Sequence, residues 1–245
     1  MEPINIIEVK KVGSTNEKLK KFIAEDDLPE GIVVLAENQE NGKGLGTNTW
    51  ESEPGKNLTF SLLLRPDFLD AENMFLISKT VSLGIIDYLN SIKECFTIKW
   101  PNDIYYCNKK VGGILIENQI QGKSINYSII GIGINVNQEV FKSDAPNPIS
   151  LKTIFGKTIP LHECLENITN QIGIWYDLLA EGFEEKINQR YHDHLFRNQD
   201  YHDFKAGDEL LYAKIKQVEN DGCLVLKLPD GTIRKFYLKE VEFVM

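Results

Sequence analysis

The chain has no Cys-x-x-Cys pair: its four cysteines, Cys95, Cys107, Cys164 and Cys223, stand far apart in 245 residues. That spacing gives neither a thiolate metal site nor a redox dithiol, and it reads as thiols filling a core in a reducing compartment. No apolar run approaches the roughly 20 residues of a membrane span, and no basic cluster precedes an apolar stretch at the N-terminus. The expected location is therefore the cytoplasm, away from any membrane. Positive charge is short as well: 27 Lys and Arg against 36 Asp and Glu leave a net charge of −9. Non-specific affinity for DNA or RNA needs basic residues to neutralise phosphates, so nucleic acid is not an expected partner. Histidine is scarce too. His192 and His194 sit two apart on an expected helix, which turns them away from each other. With His162 and His202 they read as surface residues, and no metal site is expected.

What the chain does have is apolar matter, 42% of its residues, enough for one substantial core with room for a small second module. Ile4 to Lys11 reads as a first strand. Ser14-Thr15-Asn16-Glu17 then carries the Ser-x-x-Glu form of a capping box, which opens a helix to about Glu25. Gly31 to Ala36 and Asn57 to Leu64 are buried strands by their apolar runs. Met74, Ile77, Val81, Ile85, Leu89 and Ile92 recur at helical spacing and predict one long helix from Glu72 to Ile92. Phe96 to Val136 reads as four strands, FTIKW, DIYYC, VGGILIE and NYSIIGIGINV, with turns at Asn108-Lys109-Lys110 and Gln121-Gly122-Lys123. Consecutive hairpins predict an α+β fold, a mixed, largely antiparallel sheet packed with helices.

Residues 138–149, with Pro146 and Pro148, read as a loop. Leu161, Leu165, Ile168, Ile172, Trp175 and Leu179 trace another amphipathic helix, and a shorter one is expected from Phe183 to Arg197. Past Asp200, the turns Ala206-Gly207-Asp208, Asn220-Asp221-Gly222 and Pro229-Asp230-Gly231 punctuate short strands and predict a small β-barrel docked on the larger part. The expected division is residues 1–198 and 199–245. An exposed edge strand near Gly131 to Val136 would allow pairing across a two-fold axis, so monomer and homodimer both stay open.

Three stretches carry possible chemistry. In ENQENGKGLGTNTW, residues 37–50, Gly42, Gly44 and Gly46 let backbone N–H groups converge on an anion, and Lys43 adds a full charge. The stretch satisfies neither nucleotide fingerprint, and a flexible loop with turn glycines is an equal reading. In Lys99-Trp100-Pro101-Asn102-Asp103, proline stiffens a corner between two strands. Lys99 and Asp103 there could hold an acidic ligand and orient an amine, or pair with each other, or flank an ordinary turn. Lys110 precedes Val111-Gly112-Gly113-Ile114-Leu115-Ile116-Glu117, and Gly131 and Gly133 repeat the pattern further on. Four strand glycines would line a slot of bare backbone suited to a flat or chain-like ligand, and bulges explain them equally well.

Taken together, Ser14-Thr15-Asn16, Gln39-x-x-Gly42-Lys43-Gly44 with Trp50, Lys99 to Asp103, Lys110 to Glu117 and Gly131-Ile132-Gly133-Ile134-Asn135 resemble the biotin protein ligases, in family order and spacing. The likeness covers a catalytic domain and the C-terminal barrel, in a short form lacking an N-terminal DNA-binding domain. It implies a fold related to class II aminoacyl-tRNA synthetases with an SH3-like barrel. The implied reaction makes biotinyl-5′-AMP from biotin and ATP with Mg2+, then transfers biotin to a lysine of a biotin carboxyl carrier protein domain.

By the same resemblance, Ser14, Thr15, Asn16, Gln39, Gly42, Lys43, Trp50, Lys110, Gly113, Leu115 and Gly131 would meet biotin. Gly44, Leu45, Asn48, Trp50, Lys99, Asn102, Lys110 and Asn135 would meet ATP or the adenylate. Lys110, Asp103 and Lys43 would carry the chemistry, and no residue would bind metal by itself. Leu45 and Asn48 stand where many family members have arginine. Phosphate contact is therefore expected from Lys43, Lys110 and backbone N–H groups, with the adenylate held less tightly. The C-terminal barrel is expected to help with ATP or carrier docking. A lipoate or octanoate attachment enzyme of the same fold is the nearest alternative.

Overall fold

The computed structural model describes residues 5–142 and 147–245 of the chain, so the expected strand start at Ile4 and the loop residue Pro146 lie outside the described residues. The first half runs β1 (Asn5–Val12), α1 (Thr15–Glu25), β2 (Ile32–Gln39), the two-residue strands β3 (Gly42–Lys43) and β4 (Thr49–Trp50), β5 (Leu58–Leu64) and α2 (Phe75–Ile92). There follow β6 (Phe96–Lys99), β7 (Asp103–Tyr106), β8 (Lys109–Gln121), β9 (Ser124–Ile134), α3 (Leu151–Phe155), α4 (Leu161–Ala180) and α5 (Glu184–Asp193). The remainder is all strand: β10 (His202–Ala206), β11 (Glu209–Val218), β12 (Leu224–Lys227), β13 (Ile233–Phe236) and β14 (Glu242–Phe243).

Among the described residues the main sheet has seven strands in the order β1-β2-β5-β9-β8-β7-β6. Only β1 and β2 run parallel, because α1 crosses between them; the other neighbours are antiparallel, as expected. Strand alternation sorts the side chains into two cores. Val33, Leu35, Phe60, Leu62, Ile130 and Ile132 face the side covered by α2, α4 and α5, whereas Ile32, Val34, Leu63 and Ile129 face α1. Leu76, Ile77, Val81, Leu83, Ile85, Ile86 and Leu89 of α2 are all at 0% exposure, and each contributes about 1.5–3 kcal/mol by burial. The α1 side is different. That helix covers only part of the sheet, and past Leu63 the same face of β5 presents the hydroxyls of Ser61 and Thr59, both buried.

Several expectations give way. The capping box does not form: Ser14 has the extended backbone of an N-cap but makes no side-chain cap bond, and Glu17 instead accepts from Lys43 Nζ at 2.8 Å. The expected helix from Glu72 starts as a separate 3-10 turn, Ala71–Asn73, before α2. Lys109 and Lys110, assigned to a turn, already belong to β8. Leu151–Phe155 forms the unexpected α3, with Ser150 Oγ accepting from Thr153 N–H, and α5 ends at Asp193, well short of Arg197. Cys95 and Cys107 are exposed, leaving only Cys164 and Cys223 as core filler. Most consequential, β9 sits in the middle of the sheet between β5 and β8, so Gly131 to Ile134 offer no free edge for a two-fold partner.

The C-terminal strands pair as β13-β12-β11-β10-β14. Among the described residues these pairs are antiparallel, and β11 carries a register shift between Ile215 and Gln217 where it passes from β10 to β12. Phe204, Leu211, Ala213 and Ile215 are continuous with the core of the main sheet. The turn between β11 and β12 packs on α2, where Phe75 N–H donates to Asn220 O at 3.0 Å.

Candidate active site

Where α1 stops covering the sheet, a cavity of about 250 Å3 opens. Its floor is the β5–β9–β8 surface, with Thr59, Gly131, Gly133, Gly113 and Leu115, and its rim is the glycine loop and the Pro101 corner. Gly44, Leu45, Asn48 and Trp50 line it from the loop, and Asn102, Asp103 and Lys110 close one end.

The other end is a polar cluster. Gln39 Oε1 accepts from Thr15 N–H at 2.8 Å and from Thr15 Oγ1 at 3.1 Å. Ser61 Oγ lies 2.7 Å from Thr15 Oγ1 and 2.6 Å from Asn16 Oδ1, while Asn16 Nδ2 donates to Glu117 Oε1 at 3.0 Å. Thr15 and Asn16 reach this point because the first turn of α1 points them at β5, and they and Ser61 are all buried. Buried donors and acceptors must be satisfied, and here they hold one another in fixed orientations beside the cavity. Gln39 turns its Nε2 toward Gly42, where a Cβ would come within 2.9 Å of it.

The strand glycines are not bare. A Cβ at Gly131 would lie 2.5 Å from Asn16 Oδ1, and one at Gly133 would lie 2.3 Å from the Trp50 ring. The expected slot is thus partly filled by the protein's own Asn16 and indole, and Gly112 makes room for Ile134. Gly113 alone of the four faces Asp103, Trp50 and Lys110 together. Trp50 Nε1 is buried at this wall with no hydrogen-bond partner among the described residues.

At the opposite end Lys110 Nζ meets Asp103 Oδ1 at 2.6 Å, with side chains 23% and 19% exposed. Lys110 comes from the start of β8 and Asp103 from the start of β7, neighbouring antiparallel strands. Asp103 therefore pairs with Lys110, and not with Lys99, which was one of the three readings of this corner. The corner itself is fixed by Asn102, whose Nδ2 donates to Ile114 O at 2.7 Å while its carbonyl accepts from Ile114 N–H at 2.9 Å. The Trp100–Pro101 peptide bond is cis.

Three expected residues lie outside the cavity wall. Lys99 stacks its ammonium over Tyr105 and Phe243 at 5.4 and 5.0 Å, and burial lowers its pKa. Asn135 is buried and donates to Ile149 O at 3.4 Å, which ties down the segment before α3. Gly42 sits behind the wall, against Trp50 O. Lys43 lines the cavity, but its ammonium is bound to Glu17, which is held below the usual carboxylate range by that contact. Among residues not anticipated, Ser61 and Thr59 stand out. Their signal was the alternation of hydroxyls in an otherwise apolar strand, LTFSLLL.

A second cavity, about 360 Å3, shares Leu45, Pro101, Asn102, Ile114 and Leu115 with the first and is walled on its far side by Gly222, Tyr237 and Leu238 of the C-terminal sheet. Among the described residues no group of three His, Cys, Asp or Glu side chains could hold a metal ion.

Residues 8–135, which hold both ends of the first cavity, match the profile of the Biotin/lipoate A/B protein ligase family. The chain belongs to that family. Among curated relatives, the bifunctional ligase/repressor BirA of Bacillus spizizenii is 28% identical over 236 residues, spanning 94% of this chain and 71% of that protein. The human biotin–protein ligase is 34% identical over 114 residues, which cover 43% of this chain and 15% of that longer one. The solved biotin protein ligase from Aquifex aeolicus in complex with biotin and ATP aligns over 98% of this chain and 99% of its own with a TM-score of 0.80 and 27% identity. This likeness extends through the C-terminal sheet, beyond the part matched by the family profile.

Proposed function

We propose that the chain activates biotin with ATP and transfers it to a lysine of a biotin carboxyl carrier domain. The observation that carries this reading is a single cavity with two chemically distinct ends: buried amide and hydroxyl groups at one, the Lys110–Asp103 pair at the other. A bicyclic urea suits the first, because Thr15, Asn16 and Gln39 line it with donors and acceptors that Ser61 holds in orientation from behind. The aliphatic arm then runs over Gly113 and Gly131 beside the Trp50 ring and brings its carboxylate to Lys110.

There the carboxylate oxygen attacks the α-phosphorus of ATP, a P–O bond breaks and pyrophosphate leaves. Lys110 offsets the negative charge that two approaching anions bring together. In the second step the carrier amine attacks the anhydride carbonyl, the bond to AMP breaks, and Asp103 takes or directs the proton the amine must lose. Gly44, Leu45 and Asn48 form the lid that keeps water from the anhydride. Mg2+ would travel with the triphosphate, whose oxygens supply the donors that the described side chains do not gather.

The test is the intact mass of a biotin carboxyl carrier domain after incubation with the protein, biotin, ATP and Mg2+, with lipoate and Lys110→Ala run in parallel. A biotin-sized gain that requires ATP and Lys110 is expected. A gain with lipoate alone would move the chain to the other branch of its family, and no gain with either would refute the ligase reading.

A further inference from the structure

Lys79 lies in the second turn of α2, a helix whose covered face is otherwise mostly apolar, and it is fully buried. Its ammonium donates to three acceptors on three different segments: Asn188 Oδ1 of α5 at 2.6 Å, Val218 O at the end of β11 at 2.7 Å, and Asn220 Oδ1 of the β11–β12 turn at 3.1 Å. None of the three is a carboxylate. The acidic groups that face it, Glu184 of α5 and Glu219 and Asp221 of the turn, act on it only through space, and the rings of Phe75 and Tyr191 flank it. Burying an ammonium without a carboxylate in contact is costly, and an apolar side chain of similar volume would fill the space more cheaply. Stability alone does not account for a lysine here.

The turn that Lys79 grips is itself a holder. Its Asn220 O accepts from Phe75 N–H, and its Gly222 O accepts from Trp100 Nε1, both at 3.0 Å. Trp100 is the first residue of the corner that continues through Pro101 and Asn102 to Asp103, and Asp103 meets Lys110. Direct contacts thus run from Lys79 through the turn and the indole to the charged end of the cavity.

We propose that Lys79 is a positioning residue: by fixing the β11–β12 turn on α2 it holds Trp100, and through Trp100 it holds the Asp103–Lys110 pair in place for adenylation. The inference rests on the ligase reading above. It also gives the C-terminal sheet a definite task, which is to supply the Gly222 carbonyl that anchors the corner. A displacement of reacting groups by a fraction of an ångström lowers turnover without touching distant binding contacts. The Thr15–Gln39 end does not share this support.

The test is biotin-dependent exchange of pyrophosphate into ATP by the full chain, with Lys79→Met, Trp100→Phe and the double variant in a cycle. Lys79→Met is expected to lower kcat about tenfold and to leave KM for biotin within about twofold. Trp100→Phe should do the same, and the double variant should lose no more than the worse single one, because both cut the same chain of contacts. An unimpaired Lys79→Met, a loss confined to KM, or losses that multiply in the double variant would each overturn the proposal. If Lys79→Met does not fold, Asn220→Ala, which removes only the turn's side-chain acceptor, takes its place in the cycle with the same outcomes decisive. No exchange by the unaltered protein would instead refute the ligase reading, and the inference with it.

Discussion

Replacing Gly131 by alanine tests the polar end of the cavity directly. The new Cβ would lie 2.5 Å from Asn16 Oδ1 and 3.1 Å from Asn16 Cγ and Nδ2. Asn16 is 4% exposed and its neighbours are close-packed, so the side chain must retreat by about 1 Å and cannot simply swing into solvent. That retreat breaks the 2.6 Å contact with Ser61 Oγ and the 3.0 Å bond to Glu117. Each buried group left unsatisfied costs about 1–3 kcal/mol, and partial relaxation of α1 brings the sum to about 2–4 kcal/mol. For a chain of this size the melting temperature should fall by about 5–15 °C. The KM for biotin in pyrophosphate exchange should rise about tenfold, the effect of losing one hydrogen bond of about 1.4 kcal/mol from the displaced Asn16 to the ring. Adding Asn16→Ser removes the clash, so the double variant should melt no lower than Asn16→Ser alone. A melting shift below about 2 °C with an unchanged KM would refute the reasoning, because it would mean that β9 moves aside at no cost.

Three further outcomes follow from the site and its support. Lys110→Met should lower exchange turnover about 100- to 1,000-fold while the melting temperature moves by only a few degrees; calorimetry beside the exchange assay separates the two effects. Biotin with ATP should change the intrinsic fluorescence, because on the proposed reading the ligand would share the slot in which the Trp50 ring lies, and Trp50→Phe should abolish most of that change although Trp100 and Trp175 remain. Burial lowers the Lys79 pKa from 10.5 to about 8, so between those values the unfolded chain binds the proton and the folded chain does not. Stability from this group must therefore rise as pH increases from 8 to 10.5, by about 3 kcal/mol in total, and stay flat below that window. Urea unfolding of the unaltered protein minus Lys79→Met across pH 7 to 10.5 checks the sign; a difference that falls with pH would contradict it.

The strands and the two long helices were legible because their patterns are local: periods of two and of three to four residues need no knowledge of the partner. The charged and glycine-bearing motifs were legible as a set, and most of their members do meet around one cavity. What the sequence could not show is which neighbour wins. Ser14 and Glu17 have capping-box spacing, but a lysine 26 positions later takes the glutamate. Gly131 to Val136 read as a possible free edge because the pairing of Gly131 to Ile134 with β5 joins residues some seventy positions apart. Ser61 was visible in its strand as a polar oddity, yet only the meeting of α1, β2 and β5 shows that it braces Thr15 and Asn16. Lys79 was hidden inside a helical pattern whose spacing it does not disturb.

Both lysines that line the cavity already have a carboxylate partner: Lys43 has Glu17 at 2.8 Å and Lys110 has Asp103 at 2.6 Å. With these pairs intact the entrance projects little net positive field, and the molecule as a whole carries −9. On the proposed reading, ATP would be met without long-range attraction, and its capture should proceed at an ordinary diffusive rate that responds weakly to ionic strength. On the same reading, the charge for chemistry would become available only at contact, when phosphate and carboxylate compete for the same ammonium, and anions that cannot displace Asp103 would pass the site by.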